Sequence, residues 1–228
     1  MIFPNSLLTI FLILSSESDN NYIVGGSVRD YLIGKEPNDF DLVSDIPYER
    51  LVTLFNESDW ELNETGKEFL VLRVSKYFPI ERYDAMTNTY FYEDERIEYE
   101  IANFRSDGKS FSDGRRPDQV EIGDMATDSE RRDFTINALY MNPMTMDIID
   151  PTGQGIEDVE NRTLRFIGNA KKRIQEDYLR VFRAYRFSSK GFKPTNKTRK
   201  VVREMFNKAY EVTAPERVRM EIEKMSNL

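Results

Sequence analysis

Within the span Gly25 to Asp41 a glycine pair and an arginine, Gly25-Gly26-Ser-Val-Arg29, precede two alternate carboxylates, Asp39-Phe-Asp41. A Gly-Gly turn that closes a strand (Tyr22 to Val24) and opens a helix (Ser27 to Ile33) leaves backbone N–H groups available to a phosphate. Arg29 supplies matching charge. Asp39 and Asp41 stand at i and i+2 in an apolar stretch bounded by Pro37-Asn38, so on a strand both carboxylates leave one face. Two acids on one face suit Mg²⁺, a hard cation that takes oxygen ligands. The bland alternatives are a plain strand-turn-helix connection and a solvated strand face.

Three further groups carry chemistry. Alternation in Ile97-Glu-Tyr-Glu-Ile-Ala-Asn-Phe104 puts Glu98 and Glu100 on one strand face, so Glu100 is a candidate third acid that completes the site activating a nucleophile. Arg131-Arg132-Asp133-Phe-Thr-Ile-Asn137 sets two cations before an apolar element, and Arg132 suits bidentate grip on a phosphate or ribose oxygen. Asp133 reads equally as the partner of an arginine, and Asn137 as a cap or a sugar contact. Glu176-Asp177-Tyr-Leu-Arg180-Val-Phe-Arg183-Ala-Tyr-Arg186-Phe reads as one amphipathic helix. Ile174, Tyr178, Val181, Phe182 and Tyr185 form its core stripe, while Asp177, Arg180, Arg183 and Arg186 run along an i+3 ridge. An ion-paired solvent face is the alternative. As a reading head, the Asp accepts from an exocyclic amino group and the Arg donates to a ring acceptor, which admits C and A and rejects U and G.

Composition narrows the chemistry. The 228 residues include neither Cys nor His, so thiolate nucleophiles, disulfides, zinc-thiolate sites, imidazole bases and Ser-His triads are excluded. Oxygen ligands and Mg²⁺ become the default. Absence of cysteine fits a reducing, cytoplasmic compartment. Net charge is −8, yet Arg162 to Arg203 holds fourteen Lys or Arg against Glu176 and Asp177, a local +12 that leaves −20 elsewhere. Such asymmetry marks a polyanion-binding face on an acidic protein, with a solvated helical surface as the alternative.

These groups need elements to hold them. Residues 1–150 mix strand runs (Tyr22–Val24, Asp39–Val43, Phe69–Val74, Glu98–Phe104, Ile136–Met141) with helices around 5–15, 27–33 and 47–56. Leu7 to Leu14 is apolar but far short of the roughly 20 residues of a membrane span. It lacks the flanks of a signal peptide and is expected to be a buried packing helix with no membrane partner, an interfacial membrane helix being the outside alternative for a segment without a basic polar face. Asp113-Gly-Arg-Arg-Pro117 is a turn, and the polar, aromatic-rich stretch Met86 to Arg96 is expected to be a mobile excursion with no assigned element. Asp150-Pro-Thr-Gly-Gln-Gly155 reads as a linker. Beyond it, residues 151–228 are expected to be all helix. Oligomeric state is not legible.

Five motifs, in order, resemble those of the class II tRNA nucleotidyltransferases, the CCA-adding enzymes and bacterial poly(A) polymerases of the polymerase-β-like superfamily. They are GGSVRD with DFD, RRDFTINAL, DPTGQG, EDYLRVFRAYRF, and Glu216-Arg-Val-Arg-Met-Glu221-Ile-Glu-Lys224, similar to the family's ERxxxExxK. The resemblance covers about residues 20–225. It implies an α+β fold: a polymerase-β-like head (1–150) with a small, five-stranded mixed sheet and flanking helices, then an all-α neck (151–228). It further implies that Gly25, Gly26, Arg29 and Arg132 bind the nucleotide, that Asp39 and Asp41 bind Mg²⁺ with Glu100 as third carboxylate, and that Asp177, Arg180, Arg183 and Arg186 recognise incoming ATP or CTP. Small departures are a linker one residue longer than usual and Ser129 where a leucine often precedes the arginines. Family members continue into helical body and tail domains, whereas this sequence stops at Leu228. A natural short form and a truncation both fit, and RNA is then expected to be held by segment 162–203 or by a partner.

The implied activity is Mg²⁺-dependent, template-independent transfer of CMP and AMP from CTP and ATP to an RNA 3′ end, with release of pyrophosphate. Addition of CCA to tRNA is the expected case, and an A-adding or poly(A) enzyme is the alternative. A non-catalytic RNA-binding module is more distant, since binding alone has no use for the acids Asp39 and Asp41.

Overall fold

The computed structural model describes residues 3–37, 39–108 and 120–226. The turn expected at Asp113–Pro117 lies outside the described residues. In chain order the first elements are α1 (Asn5–Ser15), β1 (Asn21–Val24), α2 (Gly26–Leu32), β2 (Asp41–Ser44), α3 (Tyr48–Asn56), β3 (Glu61–Gly66), β4 (Val71–Asp84) and β5 (Thr89–Asn103). Then follow β6 (Arg105–Asp107), β7 (Val120–Ile122), α4 (Met125–Arg131), β8 (Tyr140–Met141), β9 (Ile148–Ile149), α5 (Gly155–Glu160) and β10 (Thr163–Leu164). The last are α6 (Ala170–Glu176), α7 (Leu179–Ser189), β11 (Lys193–Pro194), α8 (Asn196–Val212) and α9 (Pro215–Ser226).

The main sheet is mixed and seven-stranded, in the order β3-β4-β5-β2-β1-β8-β9, with β2 and β5 parallel. It exceeds the expected five strands through short edge strands such as β9. Period-2 alternation sorts its two faces. Ile23, Leu42, Leu72, Val74 and Ile101 face the main core, where they meet Leu7, Ile10, Phe11 and Leu14 of α1 and Leu51 and Phe55 of α3. The apolar stretch at the N-terminus is thus a packing helix, as its composition requires. Among the described residues no helix is long and apolar enough to cross a membrane. On the opposite face a small cluster of Val24, Val43, Phe104 and Tyr140 underlies the acids.

Several boundaries differ from the sequence reading. Of the strand expected at Ile136–Met141 only Tyr140–Met141 is extended and paired, since Thr135–Asn137 form a single 3-10 turn. The stretch Met86–Arg96 belongs to a long hairpin, because β4 and β5 stay in register from Val71↔Ala102 out to Asp84↔Thr89. Beyond Ser75 and Glu98 neither β3 nor β2 accompanies them, so the outer part is a two-stranded ribbon. Cross-strand pairs such as Tyr83 with Tyr90, 5.1 Å between ring centroids, stand in for the missing neighbours. The second region is not wholly helical: β10 and β11 form a short parallel pair. The presumed single helix from 174 onward breaks at Asp177, whose φ of −149° and ψ of 107° end α6. Tyr185 then lies exposed, off the core stripe.

The expected linker is a tight turn. Asp150 accepts from the N–H groups of Thr152 (3.1 Å) and Ile156 (3.2 Å) through its two carboxylate oxygens. Gly155 fits because a Cβ there would stand 2.7 Å from the Thr135 carbonyl oxygen and 2.8 Å from Leu139. Asp158, buried on α5, accepts from Thr135 Oγ1 at 2.6 Å and from Arg165 Nε at 2.8 Å. This staple fastens the helical region to the segment that follows α4.

Candidate active site

Gly25 follows β1 and precedes α2 with φ +79°, a positive value that costs a side-chain-bearing residue about 1 kcal/mol or more. Its own N–H donates to Leu139 (3.1 Å) and so is not part of a phosphate cradle. The amides of the first turn of α2, which lack intrahelical partners, remain for that role. Gly25 and Gly26 line a cleft of about 420 Å³ together with Asp41, Asp133, Asn137 and Asp177. Seven arginines complete its walls: Arg29, Arg131, Arg132, Arg180, Arg183, Arg186 and Arg217.

Each of these arginines is backed by a carboxylate. Arg29 meets Asp30 at 2.8 Å, Arg180 meets Glu176 at 2.9 Å, and Arg183 meets Asp133 at 2.6 Å. Arg186 meets Glu221 at 2.5 Å, and Arg217 meets Asp177 at 3.0 Å. Arg131 and Arg132 share Asp128, at 2.6 and 2.8 Å. The guanidinium groups are therefore held in place before any ligand arrives, which lowers the ordering cost of binding an anion.

The tethers cross between the two regions. Arg173 donates to the Glu130 carbonyl (2.8 Å), Arg180 to the Arg131 carbonyl (2.8 Å), and Arg183 to the Asp133 carboxylate. Asp133 also accepts from Asn137 Nδ2 at 3.0 Å, and Asn137 Oδ1 accepts from Arg29 Nη1 at 2.6 Å. Arg29 in turn lies over the Phe187 ring of α7, 5.0 Å from its centroid. Asp133 is the arginine partner that its sequence neighbourhood suggests. Burial raises its pKa, but Arg183, the Asn137 hydrogen bond and Arg180 outweigh that and hold it at about 2. Burial, and then nearby Arg183, pulls the Arg186 pKa down despite its pairing with Glu221.

Asp41 opens β2, while Asp39 sits in the preceding loop, so the pair is not on one strand as expected. Both still line a second cleft of about 490 Å³, with Ser6, Phe40, Glu98, Tyr99 and Glu100. Asp41 belongs to both clefts. Glu100 is its register partner across the parallel β2–β5 pair. The Glu100 carboxylate is engaged by Arg73, opposite on β4, at 2.6 Å. Asp41 is solvent-accessible on the cleft side, yet surrounding protein, and after it Glu100 and Asp39, raise its pKa against the pull of Arg132. Among the described residues no group of three or more acids is gathered closely enough to hold a metal. The sequence reading placed Glu100 with the other two, and the structure puts it next to Asp41 but turned to Arg73.

Asp177 is not the first residue of a helical ridge. It caps α7, accepting from the Leu179 N–H at 3.0 Å, while Arg217 of α9 holds its carboxylate. Sequence reasoning passed over three supports: Asp128, Arg217 and Glu221. The i, i+3 and i+4 spacing of Asp128 to Arg131 and Arg132 is a signal for the first. The other two lie in the ERVRME run, whose partners are set by folding alone.

The poly A polymerase head domain family matches residues 21–165. The chain belongs to this family. It is 35% identical over 208 residues to the CCA-adding enzyme of Leuconostoc mesenteroides, covering 90% of this chain and 45% of that protein. It is 34% identical over 214 residues to that of Enterococcus faecalis, covering 93% and 46%. The fold is similar to the crystal structure of the Bacillus stearothermophilus CCA-adding enzyme in complex with CTP. The TM-score is 0.75 and the identity 29%, over 98% of this chain and 49% of that one. The fold is thus the polymerase-β-like nucleotidyltransferase head of this family, and the chain spans about half the length of the curated relatives it matches.

Proposed function

We propose that this chain carries out template-independent nucleotidyl transfer, adding CMP and AMP from CTP and ATP to the 3′ end of tRNA. The observation that carries the reading is Asp41, which lies at the junction of an arginine-walled cleft and an acid-lined one. A triphosphate matches the first by charge, and an RNA 3′ end reaches the second. Relatives whose names give CCA addition support it, as does the likeness to a CTP complex.

In this reading residues 1–150 act as the catalytic head and 151–228 as the nucleotide-selecting neck. Gly25 and Gly26 let the phosphates approach the backbone, and Arg29 and Arg132 grip them. Asp177 and Arg180, each already fixed by a protein partner, present their remaining acceptor and donor positions to the base. Arg183 and Arg186 extend that wall. The acceptor 3′ hydroxyl attacks the α-phosphorus in line, forming the new P–O bond as pyrophosphate leaves. The arginines stabilise the charge on the departing oxygens. Glu100, steadied by Arg73 beside Asp41, is the third acid on the acceptor side.

The acid set fits Mg²⁺. Its donors are oxygens alone, and the raised pKa of Asp41, set first by burial and then by Glu100 and Asp39, marks an ionised form that a cation would stabilise. Asp39 and Asp41 would hold the ion, and when bound it supplies charge neutralisation and a lowered hydroxyl pKa.

The head family's description favours one second reading, an A-adding or poly(A) enzyme. Incubation with CTP alone and tRNA lacking its terminal CCA separates the two. The expected result is addition of C. Failure to add C, with A still added from ATP, overturns CCA addition in favour of the A-adding enzyme.

A further inference from the structure

The cleft arginines have one carboxylate each behind them, with a single exception among the described residues. Asp128, on α4, serves two. Its side chain has no solvent exposure, and it accepts from Arg131 Nε and Nη2 through Oδ1, and from Arg132 Nε and Nη2 through Oδ2. The Tyr140 hydroxyl donates to Oδ2 as well, at 2.6 Å. Arg132 lies over the Tyr140 ring at 5.4 Å, and its Nη1 reaches the Asn137 carbonyl at 3.5 Å. A Cβ placed on Gly25 would stand 3.7 Å from the same Nη1. The guanidinium is therefore clamped on its Nε and Nη2 edge by Asp128 and on one ring face by Tyr140. The Nη1 end is left beside the glycine turn.

We infer that Asp128 is a positioning residue for phosphate binding, acting through Arg132 to aim its Nη1 end at the ligand next to Gly25. The inference rests on the nucleotide reading above. Charge and geometry agree. Burial raises the Asp128 pKa, but Arg132, Arg131 and the Tyr140 hydrogen bond override it and keep the group ionised, with a pKa of about 2. Without that charge Arg132 keeps only its contacts to Tyr140 and one long carbonyl bond, and a flexible side chain no longer held costs affinity.

The test uses inorganic tripolyphosphate, which probes the phosphate grip without base or acceptor, measured by calorimetry on the whole chain. Asp128→Asn keeps the shape and removes the charge. Its affinity for tripolyphosphate is expected to fall about tenfold or more. Tyr140→Phe retains the ring over Arg132 and one arm of the clamp, and is expected to lose severalfold less. The decisive measurement is the cycle with Arg132→Ala. If Asp128 acts through Arg132, adding Asp128→Asn to Arg132→Ala changes affinity by less than about twofold. A merely structural aspartate would weaken binding equally in both backgrounds, which overturns the inference, as does wild-type affinity in Asp128→Asn. Should Asp128→Asn fail to fold, the cycle is run with Tyr140→Phe, and additivity there is equally fatal. Absence of tripolyphosphate binding to the unmutated chain overturns the nucleotide reading itself, and this inference with it.

Discussion

At the residue scale, the acids of this chain divide into those that stabilise it and those that strain it. Asp128 and Asp133 have pKa values held at about 2, below the usual carboxylate value near 4. A depressed native pKa stabilises the fold above the unfolded pKa, and the contribution is lost as pH falls toward the native one. Each is worth about 2 kcal/mol at neutral pH, so stability is expected to fall steeply between about pH 4 and pH 2. Denaturant titrations across that range check it, and Asp133→Asn should flatten the fall. Asp41 has the opposite sign: its pKa is raised, so its ionised form is a cost to the fold in the absence of a cation. Asp41→Asn is expected to leave the melting temperature unchanged or higher while nucleotide transfer drops about a hundredfold or more. Calorimetry and single-turnover transfer on the same preparation read both. A lowered melting temperature would show Asp41 to be structural.

At the element scale, turns do more of the positioning than regular structure. The break at Asp177 lets its carboxylate cap α7 and face Arg217 at once, which no residue inside a continuous helix can do. Gly25 turns β1 into α2 beside Arg132. Gly25→Ala is expected to cost about 1 kcal/mol through backbone strain, since the new methyl itself meets only ordinary contacts. Urea titration measures it. The β4–β5 ribbon is the contrary case: a two-stranded extension with exposed Tyr77, Tyr83, Tyr90 and Tyr92. Joining Phe78 to Glu95 through an Asn-Gly turn removes it without touching the sheet's shared register. The melting temperature of that variant is expected to stay within about 3 °C, because an isolated hairpin adds little stability of its own.

At the scale of the whole molecule, the regions before and after residue 150 are joined through the candidate site. Arg173, Arg180 and Arg183 hold successive points of the 130–133 segment, and Asp158 staples α5 to Thr135. The arginines contributed from before and after residue 150 thus share their supports. Trp60, the single tryptophan, reports on the core before residue 150, whereas far-ultraviolet circular dichroism draws more than half of its helical signal from α5 to α9. The two signals are expected to give coincident urea transitions. Separate midpoints would mean that the tethers are weaker than the geometry implies. Much of this was legible beforehand. Residue types at short spacing, such as GGSVRD with DFD, have local physical reasons: a glycine where φ is positive, acids where oxygen ligands are needed. The packing helix at 5–15 followed from composition. The ribbon did not, because its cross-strand pairs lie outside any local window. Nor did the turn of Glu100 toward Arg73, which depends on which strand becomes its neighbour. By itself the sequence determined the chemistry available to this protein, since excluding Cys and His leaves carboxylates and arginines. Only the tertiary structure decided the long-range pairings, Arg183 with Asp133, Arg186 with Glu221 and Arg217 with Asp177, because they join residues 35 to 50 positions apart that no local window brings together.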